Sequence, residues 1–177
     1  MTGKLLAGFI VVVALIAGVA MYYLQVYAFY ETVEATGEGD VMLTPVGGGV
    51  PEAILYNGFE AIDSDSSPIR YRACFTTENP LAMLSETYAP YADAEPLVAP
   101  GWFSCFDAEE IGKALERGEA LAFLSQENIH YGVDRVAAIF PDGRGYVWHQ
   151  INACGEVVFD GQPAPEGCPP PPAEQGN

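Results

Sequence analysis

The side chains of this sequence best suited to chemistry are two histidines, His130 and His149, and four cysteines, Cys74, Cys105, Cys154 and Cys168. Imidazole nitrogen and thiolate sulfur are ligands that copper and zinc favour, so a site of His130, His149 and a cysteine pair is the sharpest chemical reading. The spacing matches no ligand signature, and no cysteine stands in a C-x-x-C pair. That counts against a thioredoxin-like centre or a zinc ribbon. Both histidines are therefore expected to be structural, and no metal or other cofactor is assigned. An even number of cysteines in an exported domain points instead to two disulfides. Three pairings are possible, and Cys74–Cys105 with Cys154–Cys168 is favoured. The second closes a loop of ~15 residues, stabilising by about 3 kcal/mol in the chain-entropy model, and staples a Pro-rich tail.

Other catalytic patterns are missing. Asp63, Asp65 and Ser67 alternate as the opening of a calcium loop does, but Pro68 stands where the turn needs glycine and Cys74 where a bidentate glutamate belongs. The segment reads as an ordinary Asp/Ser turn. There is no G-x-S-x-G, and Gly47-Gly48-Gly49 is followed by no Lys-Ser/Thr, so neither a nucleophile elbow nor a phosphate loop is present. Carboxylates are too numerous for any pair to stand out as acid and base. The chain is expected not to be an enzyme. Tyr146, Trp148 and Gln150 share one face of a strand. With Trp102 they suit an interaction surface, and Tyr146 and Trp148 equally suit a sheet packed under a helix.

These groups must be positioned by a chain of two unlike parts. Residues 5–30, LLAGFIVVVALIAGVAMYYLQVYAFY, carry no charge. A bilayer core needs ~20 apolar residues at about 1.5 Å each, and Leu5–Leu24 supplies them. Tyr22, Tyr23, Tyr27, Phe29 and Tyr30 then gather at one end, as rings do in the headgroup layer. Residues 1–30 are read as a retained transmembrane anchor with the bilayer as its partner. The rival, a signal peptide cut near Gly18-Val19-Ala20, is disfavoured by ten further uncharged residues. Gly3 with Ala7 and Ala14 with Gly18 have small-xxx-small spacing, which is common in membrane helices without pairing. Lys4 lies before the span, so the N-terminus is placed in the cytoplasm and residues 31–177 outside.

Beyond residue 30 lie all 24 acidic residues and, with Lys4 excluded, six of the seven basic ones, a net charge near −18. Such a domain is repelled by nucleic acid and anionic lipid, and its surface favours solubility. Residues 31–40 read as an acidic linker, 41–161 as one α+β domain and 162–177 as a Pro-rich tail. Strands are expected at 41–46, 53–57, 69–75, 120–124, 133–140, 145–151 and 156–159. In 69–75 the alternation predicts one buried face. Asn79-Pro80 starts a short helix, and Asp107-Ala108-Glu109-Glu110 caps another that stops at Gly118. Pro141-Asp142-Gly143-Arg144 makes a hairpin turn. The expected fold is a transmembrane helix followed by a small antiparallel-sheet domain with two short helices and two disulfides.

The segments MTGKLLAGFIVVVALIAG, IRYRACF, LVAPGWFSCFDAE, NIHYGVDRVAAIFPDGRGYVWHQIN and CGEVVFDG with PAPEGCP carry a resemblance covering nearly the whole chain. It resembles a family of small bacterial proteins of unknown function, with one N-terminal membrane helix and an extracytoplasmic domain. The resemblance implies a bacterial inner-membrane protein whose domain faces the periplasm, and it brings no activity with it. The expected function is a non-enzymatic accessory protein, an assembly factor or accessory subunit of an inner-membrane complex. The alternative is a periplasmic metal-binding or redox protein using His130, His149 and cysteines.

Overall fold

The computed structural model describes residues 2–172, so the last five residues of the tail read as 162–177 lie outside the described part. Helix α1 (Thr2–Tyr23) runs into a π-helical turn at Leu24–Ala28. Residues Gly3–Ala28 form a helix long and apolar enough to cross a membrane, with a mean hydropathy of 2.6.

The sheet begins almost at once. Strand β1 (Glu31–Val33) pairs with β4 (Asn57–Asp63), setting Glu31 opposite Asp63 and Val33 opposite Ala61. The expected linker over 31–40 is thus corrected, because its first three residues are an edge strand. Three residues are too few to show a period in sequence. The remaining connection is ordered by Asp40, whose carboxylate accepts from the Thr36 and Gly37 amides at 2.9 and 2.8 Å and from the Tyr56 hydroxyl.

Six antiparallel strands stand in the order β1-β4-β5-β8-β7-β6, with β5 Arg72–Thr76, β6 Leu121–His130, β7 Val133–Ile139 and β8 Arg144–Ile151. A ribbon of β2 (Met42–Leu43) and β3 (Glu52–Ala53) packs with α2 (Leu81–Thr87) over one face. It buries Leu43, Ile54 and Leu84 against Ala73, Ala137 and Val147. Helix α3 (Ala108–Glu116) and the 96–106 connection cover the other face, burying Phe106 and Ile111 against Val136, Tyr146 and Trp148. Both faces being covered, the single buried face expected for 69–75 is corrected. Arg72 and Cys74 are buried as well as Tyr71, Ala73 and Phe75.

Local chemistry explains where the expected elements hold and where they shift. The Asp107 side chain accepts from the Glu109 and Glu110 amides at 2.9 and 3.0 Å, and Gly118 takes φ +69° past the end of α3. The β7–β8 hairpin turns where expected. Its Gly143 (φ +87°) lies against the Thr77 carbonyl, where a Cβ has no room. The cap of α2 is Pro80 rather than Asn79.

The expected strand at 156–159 is instead part of α4 (Ala153–Phe159), giving the domain three short helices rather than two. Asn152 caps it, accepting from the Cys154 and Gly155 amides at 3.1 and 3.0 Å. Gly155 lets the helix lie on the Gly132 carbonyl, which any Cβ would strike. Asn57 opens β4 rather than closing the run from Ala53, and β6 runs to His130 rather than stopping at Leu124.

Candidate functional site

The fold brings the two histidines together, with ring centroids 6.0 Å apart. His149 is buried on β8, whereas His130 is exposed at the end of β6. The Arg135 Nε donates to His149 Nε2 at 3.0 Å, and His149 Nδ1 lies 2.6 Å from the Pro68 carbonyl oxygen. An accepting Nε2 and a donating Nδ1 define one neutral tautomer. Burial, then the Arg135 charge, hold His149 down to about 3, and the Pro68 bond opposes them too weakly to restore it. Tyr71 stacks on the imidazole at 4.9 Å, and the Arg135 guanidinium covers the other ring at 4.3 Å. Both nitrogens of His149 are therefore engaged by protein groups.

All four cysteines are joined as expected, Cys74 to Cys105 and Cys154 to Cys168. Among the described residues no group of three His, Cys, Asp or Glu side chains is placed to hold a metal ion. Asp63 accepts from the Ser64 amide at 2.8 Å and Ser64 Oγ meets Ser66 Oγ at 2.8 Å, so this loop is an Asp/Ser turn.

Of the aromatic residues proposed for a surface, Tyr146 and Trp148 lie beneath α3, Trp148 at 0% exposure. The packed-sheet alternative describes them. Trp102, at 38% exposure, is the one on the surface. Its loop is fastened from beneath. Arg72 is buried and donates through Nε to the Leu97 carbonyl at 2.7 Å, and through its terminal nitrogens to Ile69, Tyr71 and Val98 carbonyls. Burial lowers its pKa to about 10, which leaves it cationic at neutral pH. The Cys74–Cys105 bond ties the other end of the loop to β5, and Phe103 and Phe106 enter the core. An arginine whose partners are carbonyls leaves no complementary acid to find in the sequence.

So held, Trp102 meets the end of the N-terminal helix. Its Nε1 donates to the Val26 carbonyl in the π-helical turn at 2.7 Å. Its ring stacks on Tyr27 at 6.2 Å and meets the edge of Tyr30 at 6.0 Å. Arg70 lies 5.5 Å over Tyr30. With β1 starting three residues after the helical turn, this joint fixes the domain to the apolar helix at two places. The aromatic run 22–30 signals a membrane interface in sequence, but nothing in it names Trp102 as its partner across 76 positions.

A second polar cluster, unforeseen in the sequence, lies at the β6–β7 end. Buried Asp134 accepts from the Asn128 amide at 2.9 Å, the Asn152 amide nitrogen at 2.7 Å and the Tyr91 hydroxyl at 3.1 Å. Every contact is local to β6, the 89–91 strap or the cap of α4, so the cluster holds these three together.

The fold and joint define a class: an apolar helix able to span a membrane, fixed to an α+β domain stapled by two disulfides. The chain belongs to a family of unknown function, DUF6446, which matches residues 41–169. The match includes Trp102, both histidines and all four cysteines. No curated protein and no solved structure matches the chain.

Proposed function

We propose that the chain is a non-enzymatic accessory protein of a membrane complex, an assembly factor or accessory subunit. Helix α1 sits beside the partner in the bacterial inner membrane, and the acidic domain meets the partner's periplasmic face. The observation that carries this reading is the joint at Trp102 and β1. A tethered enzyme or a receptor for a soluble ligand needs no set distance from the bilayer. A subunit docking on a membrane neighbour does, because both its helix and its domain must register at once. The two disulfides fit an oxidising compartment, and the net charge near −18 suits a basic partner surface.

The metal or redox alternative requires a disulfide to open and His149 to leave Arg135 and Pro68, and no observation favours it. The test is affinity isolation of the full-length chain in mild detergent beside residues 31–177 alone. Stoichiometric recovery of a membrane complex with the full chain is expected. Recovery of none with either form contradicts the proposal.

A further inference from the structure

The segment Val98–Phe103 is fastened to the core by Arg72 and by Cys105, yet it presents apolar groups outward. Val98 is 80% exposed and Trp102 38%. Its depth relative to the anchor is set by the bond from Trp102 Nε1 to the Val26 carbonyl. From Gly3 to Val26 a helix advances ~35 Å, and a hydrocarbon core is ~30 Å thick. Val26 therefore lies just past the core, among the headgroups, and Trp102 is held at the same level. Indole, with an apolar body and one polar N–H, is the side chain most at home there. Tyr27 and Tyr30 pack against it.

Charge agrees with this placement. Among the described residues, Lys113, Arg117 and Arg144 are in ion pairs, Arg72 is bonded to carbonyls and Arg135 to His149. Arg70, in no ion pair among the described residues, is the cation at the joint, over Tyr30.

We propose that Val98–Phe103 is a second membrane contact, resting in the headgroup layer of the bilayer that α1 crosses, with Trp102 as its wedge and Arg70 beside a lipid phosphate. The proposal rests on α1 as a membrane span and is independent of any protein partner. Because rings rather than net charge make the contact, it withstands salt.

The chain has two tryptophans, and Trp148 is buried inside the domain, so lipid-borne quenchers report on Trp102. The full chain is reconstituted into phosphatidylcholine vesicles with bromine placed near the headgroup end or near the tip of the acyl chains. Shallow bromine is expected to remove most of the Trp102 emission, deep bromine much less, and Trp102→Phe to abolish the response. A wild-type response no greater than that of Trp102→Phe, with aqueous iodide quenching instead, overturns the proposal. Strongest quenching by deep bromine overturns it too. Resistance of α1 to alkaline extraction, measured on the same vesicles, shows separately whether the span itself is inserted.

Discussion

Two irregular, proline-bearing segments of this molecule are each tied by one disulfide, and they are otherwise opposite. The 96–106 connection sends Phe103 and Phe106 into the core, takes bonds from buried Arg72 and hands Trp102 to the N-terminal helix. The tail after Asp160 is exposed from Gly161 to Gly167, and beyond its Cys168 link the Tyr131 hydroxyl donates to the Pro169 carbonyl at 3.1 Å. A covalent link stabilises a fold only so far as the linked segment stays ordered for other reasons. Where it does not, cutting the link frees the segment in the folded state as well as in the unfolded one, and the two gains in entropy cancel.

This contrast sets the size of several effects. Replacing Cys74 and Cys105 together with serine should cost about 4 kcal/mol, since their 31-residue separation closes a long loop around an ordered segment. Urea unfolding of the variant measures it. Arg72→Ala should cost about 3 kcal/mol, because the Ile69, Tyr71 and Leu97 carbonyls lose their buried partner. Trp102 emission should then shift to the red as its loop loosens. An unchanged spectrum would show that the disulfide alone holds the loop.

Acid should act on the sheet rather than on either tied segment. His149 has a folded pKa lowered to about 3 from 6.5, so the unfolded chain binds more protons between those values. Its contribution is complete above pH 6.5 and is lost as pH falls toward 3, amounting to about 2 kcal/mol between pH 6.5 and 5. His149→Gln should remove this slope, measured as the difference in stability between pH 7 and 5 against the wild type. Smallest of all, replacing Cys154 and Cys168 with serine should cost under about 1 kcal/mol, well below the ~3 kcal/mol of the loop model, because the tail has little order to lose. A loss near the full value would mean that the tail is as well built as the 96–106 connection.

Much of the fold was legible where a local signal decides the outcome. The Asp107 cap, Gly118, the Pro141–Arg144 turn and both disulfides all lie where the residues place them. What escaped depends on distant partners. Glu31–Val33 is a strand because β4 offers its edge, and Glu156–Phe159 is helical because Gly155 meets the distant Gly132 carbonyl, in support of a local Asn152 cap that the strand reading passed over. Arg72 looked like the outward residue of an alternating strand, since nothing in its own segment shows that the Leu97 and Val98 carbonyls, 25 and 26 positions away, will cover it. The joint was half legible: Trp102 stood out as a surface aromatic, but its bond to Val26 is a product of the whole domain.

The measurement that bears most directly on the fixed joint is hydrogen–deuterium exchange of the full-length chain in lipid nanodiscs. Amides of 31–33 and 97–106 are expected to be protected to a degree comparable with β4, while 161–167 exchanges freely. Free exchange through 31–40 would make that stretch a flexible linker, leave the domain swinging from its anchor, and contradict a domain held in register with a membrane partner.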